Sequence, residues 1–144
     1  MLLFWITTGI ALALSYVCKI IADAYFIERI SVWGDVIGFQ LTHNEGIAFS
    51  VHLGTVLQLP LILCALGFVV YLAYKSDKSS LQQIAFGLIA GGALGNILDR
   101  LPDGLVTDFI RIGTFPVFNI ADSCITIGVA LLLLGMALHR KKSA

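Results

Sequence analysis

Charge is scarce in this chain: 12% of its 144 residues are Asp, Glu, Lys or Arg, against about 25% in an ordinary soluble domain. Nine cations balance nine anions, so no basic surface for nucleic acid is expected. Histidine is sparse and scattered. His43, His52 and His139 form no Ser-His-Asp set, and no Glu-x-x-His pair marks a metal site. Cys18, Cys64 and Cys124 sit in apolar runs, at no disulfide or metal-ligand spacing. They read as small apolar fillers. Glycine-rich phosphate loops are missing too. These gaps set aside zinc hydrolases, serine and cysteine hydrolases and P-loop enzymes, and no cofactor or metal is expected.

What the chain has in excess is apolar sequence. Hydrophobic residues make up 58%, more than a soluble domain this small can hide from water. A bilayer core of about 30 Å takes about 20 helical residues. Four runs approach that length, at about 2–22, 54–74, 79–98 and 116–138. The expected fold is therefore an all-α integral membrane protein of four transmembrane helices, one membrane-embedded domain over 1–144. Ala22-Asp23-Ala24 resembles a leader cleavage site, but no Lys or Arg precedes the long first run. It is read as a span. Pro60 predicts a kink in the second span. In the third, Gly87, Gly91, Gly92 and Gly95 predict close helix packing.

The connections differ from one another. Lys75, Lys78, Arg140, Lys141 and Lys142 flank one set of span ends, while Arg29, Arg100 and Arg111 lie in the other connections. Five cations against three put both termini in the cytoplasm and the connections 23–53 and 99–116 outside. Residues 30–42 are rich in β-branched and aromatic residues broken by glycine, which predicts two short strands and a turn. A small extracytoplasmic β-rich segment between helices 1 and 2, resting on the outer leaflet, is expected.

Polar residues intrude where the lipid should exclude them. Asn96 and Asp99, with Arg100, lie near the outer end of the third span, and Asn119 and Asp122 repeat the spacing in the fourth. Asn119, Asp122 and Thr126 share a helix face. With a span starting at Pro116, Asp122 would lie roughly 9 Å inside it. Asp108 stands between, in the apolar run Val106-Thr107-Asp108-Phe109. One reading is a packing clamp, with Asp99 pairing Arg100 and Asp122 bonding Asn96. Another is a proton or cation path in a small transporter. The reading preferred here is chemical. Two facing carboxylates share one proton and serve as acid and base toward a peptide bond. Spacing alone does not decide whether Asp99 or Asp108 partners Asp122.

The motifs in order, Asn44-Glu45-Gly46-Ile47-Ala48-Phe49-Ser50, Gly91-Gly92-Ala93-Leu94-Gly95-Asn96-Ile97-Leu98-Asp99-Arg100, Val106-Thr107-Asp108-Phe109 and Phe118-Asn119-Ile120-Ala121-Asp122-Ser123, resemble the signal peptidase II (prolipoprotein signal peptidase) family of bacteria. The resemblance implies a multi-pass aspartic endopeptidase of the bacterial cytoplasmic (inner) membrane, with its active site toward the outer face. Its partners would be membrane lipid and lipid-modified prolipoproteins, cut just before the diacylglyceryl-modified cysteine. Asp108 and Asp122 become the catalytic pair by the same resemblance. Asn44, Gly46, Asn96, Asp99, Arg100 and Asn119 become supporting or substrate-binding residues. One departure stands out. The family usually carries Asp-x-x-x-Lys in the first span, where this chain has Ser15 before Lys19.

Overall fold

Long uncharged runs become helices because lipid offers no partner for a backbone N–H or C=O, so each span must satisfy its own. In the computed structural model, which describes residues 1–26, 28–46, 55–77 and 79–142, four helices do this. They are α1 (Leu2–Tyr25), α2 (Thr55–Lys75), α3 (Ser80–Arg100) and α4 (Ile120–Lys142). Each holds a stretch long and apolar enough to cross a membrane. Leu2, Trp5, Phe68, Tyr71, Leu133 and Met136 all point outward, exposed. Such an apolar exterior suits acyl chains rather than water.

The third helix is the hub, packing closely on α1 and α4 and more lightly on α2. Its glycines make that closeness available. A Cβ on Gly91 would strike the Thr8 carbonyl and Ala11, and one on Gly95 would strike Ser15, so this face belongs to α1. One on Gly92 would strike the Ala121 carbonyl, so that face belongs to α4. Ser79 caps the helix start by accepting a hydrogen bond from the Gln82 N–H at 3.3 Å. Away from the polar residues, Phe4, Ala73, Phe86 and Ala90 form a buried cluster that ties the helices together.

A three-stranded antiparallel sheet, in the order β1-β2-β3, lies at the other end. The first two strands, β1 (Ile30–Trp33) and β2 (Ile37–Asn44), are the expected hairpin, turning through Gly34 at φ 52°. The third, β3 (Val106–Ile112), comes from the connection between α3 and α4 and was not expected. Helix boundaries differ from the sequence reading as well. The first helix continues to Tyr25, the third to Arg100 and the fourth to Lys142, and the fourth begins at Ile120 instead of 116. Residues 116–119 are held outside the helix because Phe118 returns alongside β3. The Phe109 and Ile110 N–H groups donate to the Phe118 carbonyl at 3.0 and 2.7 Å, and the Phe118 N–H donates to the Ile110 carbonyl at 3.1 Å. The expected start of the second span at 54, with His52 and residues 47–50 of the Asn44 element, lies outside the described residues.

Candidate functional site

The backbone places four elements around one point: the end of β2, the end of α3, the middle of β3 and the start of α4. Val106 pairs with Asn44 and Asp108 with Thr42, so Asn44 and Asp108 are diagonal neighbours on one face of the sheet. The Asn44 amide donates to Asp108 Oδ2 at 2.9 Å. Asn119, set beside β3 by the Phe118 return, donates to Asp108 Oδ1 at 2.8 Å. Asp108 is 2% exposed. Burial pushes its carboxyl up to about 6, and the nearby Asp122 charge adds to the rise. The Asn44 and Asn119 hydrogen bonds and the Arg100 charge pull the other way.

Asp122 stands in the first turn of α4, at the mouth of the helix and not well inside it. Its Oδ1 accepts from the Asn96 amide at 2.8 Å. The Asn119 side chain accepts from the Asp122 N–H at 2.9 Å, while the Asn119 N–H faces Asp122 Oδ2 at 3.4 Å. This is a reciprocal cap, the form a polar residue three before an acid takes at a helix start. The Asn119 amide also donates to Asn96 Oδ1 at 3.1 Å. Asn119 therefore touches both carboxylates, and the chain Asn44–Asp108–Asn119–Asn96–Asp122 is continuous.

The matched spacing of Asn96 and Asp99 has a different outcome. Asn96 faces Asp122, but Asp99 does not pair Arg100 as the clamp reading expected. It turns to the other side of α3, where its Oδ2 accepts from the Thr107 N–H at 2.6 Å and its Oδ1 lies 3.5 Å from Lys19 Nζ. Lys19 also pairs Asp23 at 2.6 Å. Ser15, where the resemblance would place an Asp, donates to the Ala11 carbonyl at 2.7 Å and packs under Gly95. An ionic chain thus runs from α1 through Asp99 to the backbone just before Asp108. Sequence reasoning had kept Asp99 among the groups around the carboxylates, but its reach into β3 needed the unforeseen strand.

Arg100 is buried and acts as a strut. It donates to the Gly46 carbonyl through Nη2 and to the Asn96 carbonyl through Nη1 at 3.3 Å. The Gly46 N–H in turn donates to Asn44 Oδ1 at 2.8 Å. The eight residues singled out from sequence all lie in this region, with Asp99 on its α1 side. Among the described residues, no three His, Cys, Asp or Glu side chains gather closely enough to hold a metal ion.

A cavity of about 1100 Å³ opens at the carboxylates and continues between α2, α3 and α4. Asn44, Asn96, Arg100, Asp108 and Asp122 form its polar end. Ile62, Leu66, Val69, Ile89 and Ile125 give it apolar walls. The α2 wall was not identified from sequence, because its residues look like any lipid-facing residue. An apolar groove ending in two hydrogen-bonded carboxylates can hold an apolar chain and present one polar bond to acid and base.

The family model for signal peptidase (SPase) II matches residues 7–138. A lipoprotein signal peptidase of Gloeobacter violaceus is 39% identical over 138 residues, covering 92% of this chain and 80% of that protein. The lipoprotein signal peptidase of Desulfitobacterium hafniense is 36% identical over 146 residues, covering 98% and 97%. Among solved structures, a bacterial membrane enzyme determined by the in meso method at 2.3 Å resolution superposes with a TM-score of 0.85 at 27% identity, covering 96% of this chain and 90% of that one. A second, at 1.9 Å resolution, gives 0.79 at 29% identity, covering 91% and 90%.

Proposed function

The chain belongs to the signal peptidase II family, and from that premise we propose that it is an aspartic endopeptidase. It removes the signal peptide from lipid-modified prolipoproteins, cutting just before the diacylglyceryl-modified cysteine. The observation that carries the chemistry is the joining of Asp108 and Asp122 through Asn119 and Asn96 at the polar end of an apolar cavity.

Asp108 and Asp122 hold one proton between them. Burial favours this by raising Asp108 to about 6, and the Asp122 charge beside it adds to the rise. The ionised carboxyl takes a proton from water, whose oxygen attacks the scissile carbonyl carbon. The protonated one donates to the carbonyl oxygen. Collapse of the tetrahedral intermediate breaks the C–N bond: the new amino group leaves with the proton taken from water, and a hydroxyl of the intermediate returns its proton to the other carboxylate, which restores the shared proton. Asn44, Asn96 and Asn119 fix both carboxyls while this happens, and Arg100 fixes Gly46 against α3.

The position of the site supports the substrate assignment. Asp122 lies in the first helical turn, so the cut falls near the membrane surface, where a diacylglyceryl-cysteine is anchored. The charge bias of the connections supports termini in the cytoplasm and a site on the outer face of the bacterial cytoplasmic membrane. The test is cleavage of one defined precursor peptide, with and without its diacylglyceryl group, by the purified protein. The lipidated peptide should be cut just before its modified cysteine and the unmodified one poorly. No cleavage, or equal rates on both, would end this reading.

A further inference from the structure

Deeper in the cavity than the carboxylates lies a hydroxyl that the chemistry above does not use. Thr126 lies one turn beyond Asp122 on the same face of α4 and lines the cavity. Its neighbours in that wall are apolar, among them Ile62, Leu66, Ile89 and Ile125. Hydroxyls on membrane helices usually close onto their own backbone. Thr8, Ser15 and Ser123 do so, donating to the carbonyl four residues back at 2.8, 2.7 and 2.9 Å. Thr126 is exposed toward the cavity and makes no such bond among the described residues.

A peptide cut beside Asp122 has to be extended there, because a helical carbonyl is already committed to the N–H four residues further on. Each amide freed by unwinding in an apolar groove then needs a partner from the enzyme. At the scissile bond the polar end of the cavity lies close by. One turn further in, Thr126 is the group placed to supply a partner. Four helical residues advance about 6 Å, and an extended chain covers that in about two residues at roughly 3.3 Å each.

We propose that Thr126 is a substrate-positioning residue whose hydroxyl oxygen accepts a hydrogen bond from the backbone N–H about two residues before the cut, on the signal-peptide side. It holds the strand extended so that the scissile carbonyl meets the carboxylates. This rests on the peptidase function proposed above, and it adds a contact made with the main chain, hence tolerant of signal-peptide side chains.

The test uses the full protein and two lipidated peptides, one all-amide and one with an ester in place of the amide between the second and third residues before the cut. Thr126→Val keeps the branched shape without the hydroxyl, and it should lower kcat/KM on the all-amide peptide about three- to tenfold, as loss of one hydrogen bond does. Thr126→Ser should recover most of that loss. On the ester peptide, where the partner is already removed, Thr126→Val and the parent should match. Full activity of Thr126→Val on the all-amide peptide overturns the proposal, as does an equal loss on both peptides. A parent protein that cuts neither peptide overturns the peptidase reading itself, and this inference with it.

Discussion

Asn44 offers a way to move the proton on the proposed catalytic pair without touching either acid. Its amide donates to Asp108 Oδ2 at 2.9 Å, and Asp108 is almost wholly buried, so water does not readily replace it. A hydrogen bond to a charged group contributes about 1.5–3 kcal/mol. At about 1.4 kcal/mol per pKa unit, Asn44→Ala should raise the pKa of Asp108 by about one to two units. The direction follows from the chemistry: the amide stabilises the ionised form, so its removal favours the protonated one. In the parent, Asp108 stands at about 6, and activity that needs one shared proton falls as pH rises through that region. In the variant the alkaline limb should move to between about 7 and 8. Cleavage of a fluorogenic lipopeptide between pH 4 and 9 would show it. The variant will be slower at pH 6, since it also loses the contact with the Gly46 N–H, but its rate relative to the parent should climb with pH. An alkaline limb that stays in place, or moves down, would refute the claim that Asn44 sets the ionisation of the pair.

Replacing Asp108 or Asp122 with Asn should cost about 10²–10⁴-fold in kcat, with the double variant little worse than either single one, measured on the same lipopeptide. Asp99→Asn should cost less, because Asp99 supports β3 through the Thr107 N–H and moves no proton in the proposed mechanism. Gly92→Ala puts a methyl against the Ala121 carbonyl one residue before Asp122. It should lower stability by about 1–3 kcal/mol and reduce activity, read by thermal unfolding in detergent beside turnover. Cysteines placed at Asp77 and Asp35 should label from opposite sides of the membrane, with Asp35 reached from outside intact cells.

The membrane fold was legible because the signal is coarse. A run of about 20 uncharged residues has one viable structure in lipid, and no partner element is needed to decide it. The hairpin of β1 and β2 was legible for a related reason, since its β-branched residues and its turn glycine are close in sequence. Its third strand was not. Val106–Ile112 is rich in β-branched residues, but Asp108 and Arg111 interrupt it and its partner strand lies about 70 positions earlier, too far for any local turn signal to reveal the pairing. The start of α4 was misplaced for the same reason. Phe118 is apolar enough for a span, and what excludes it is its hydrogen bonds to Phe109 and Ile110.

That missed strand is also why the carboxylates could not be ranked from spacing. Asn96-x-x-Asp99 and Asn119-x-x-Asp122 look alike on a helix, but the second is a cap at a helix mouth and the first is split between two faces of α3. Asp99 is drawn away by Lys19 and by the β3 backbone, which leaves Asp122 with a partner from the sheet. The same contact that removes Asp99 from the pair helps set Asp108 in place, because the Thr107 N–H it holds belongs to the preceding residue. A cation in α1 is therefore tied to the carboxylate site through one backbone amide. The i+4 partner Asp23 balances that cation, and the position four residues before it holds only Ser15. The departure from the family pattern at Ser15 thus leaves the Lys19–Asp99–Thr107 link intact, since Lys19 finds its second carboxylate one turn further along α1.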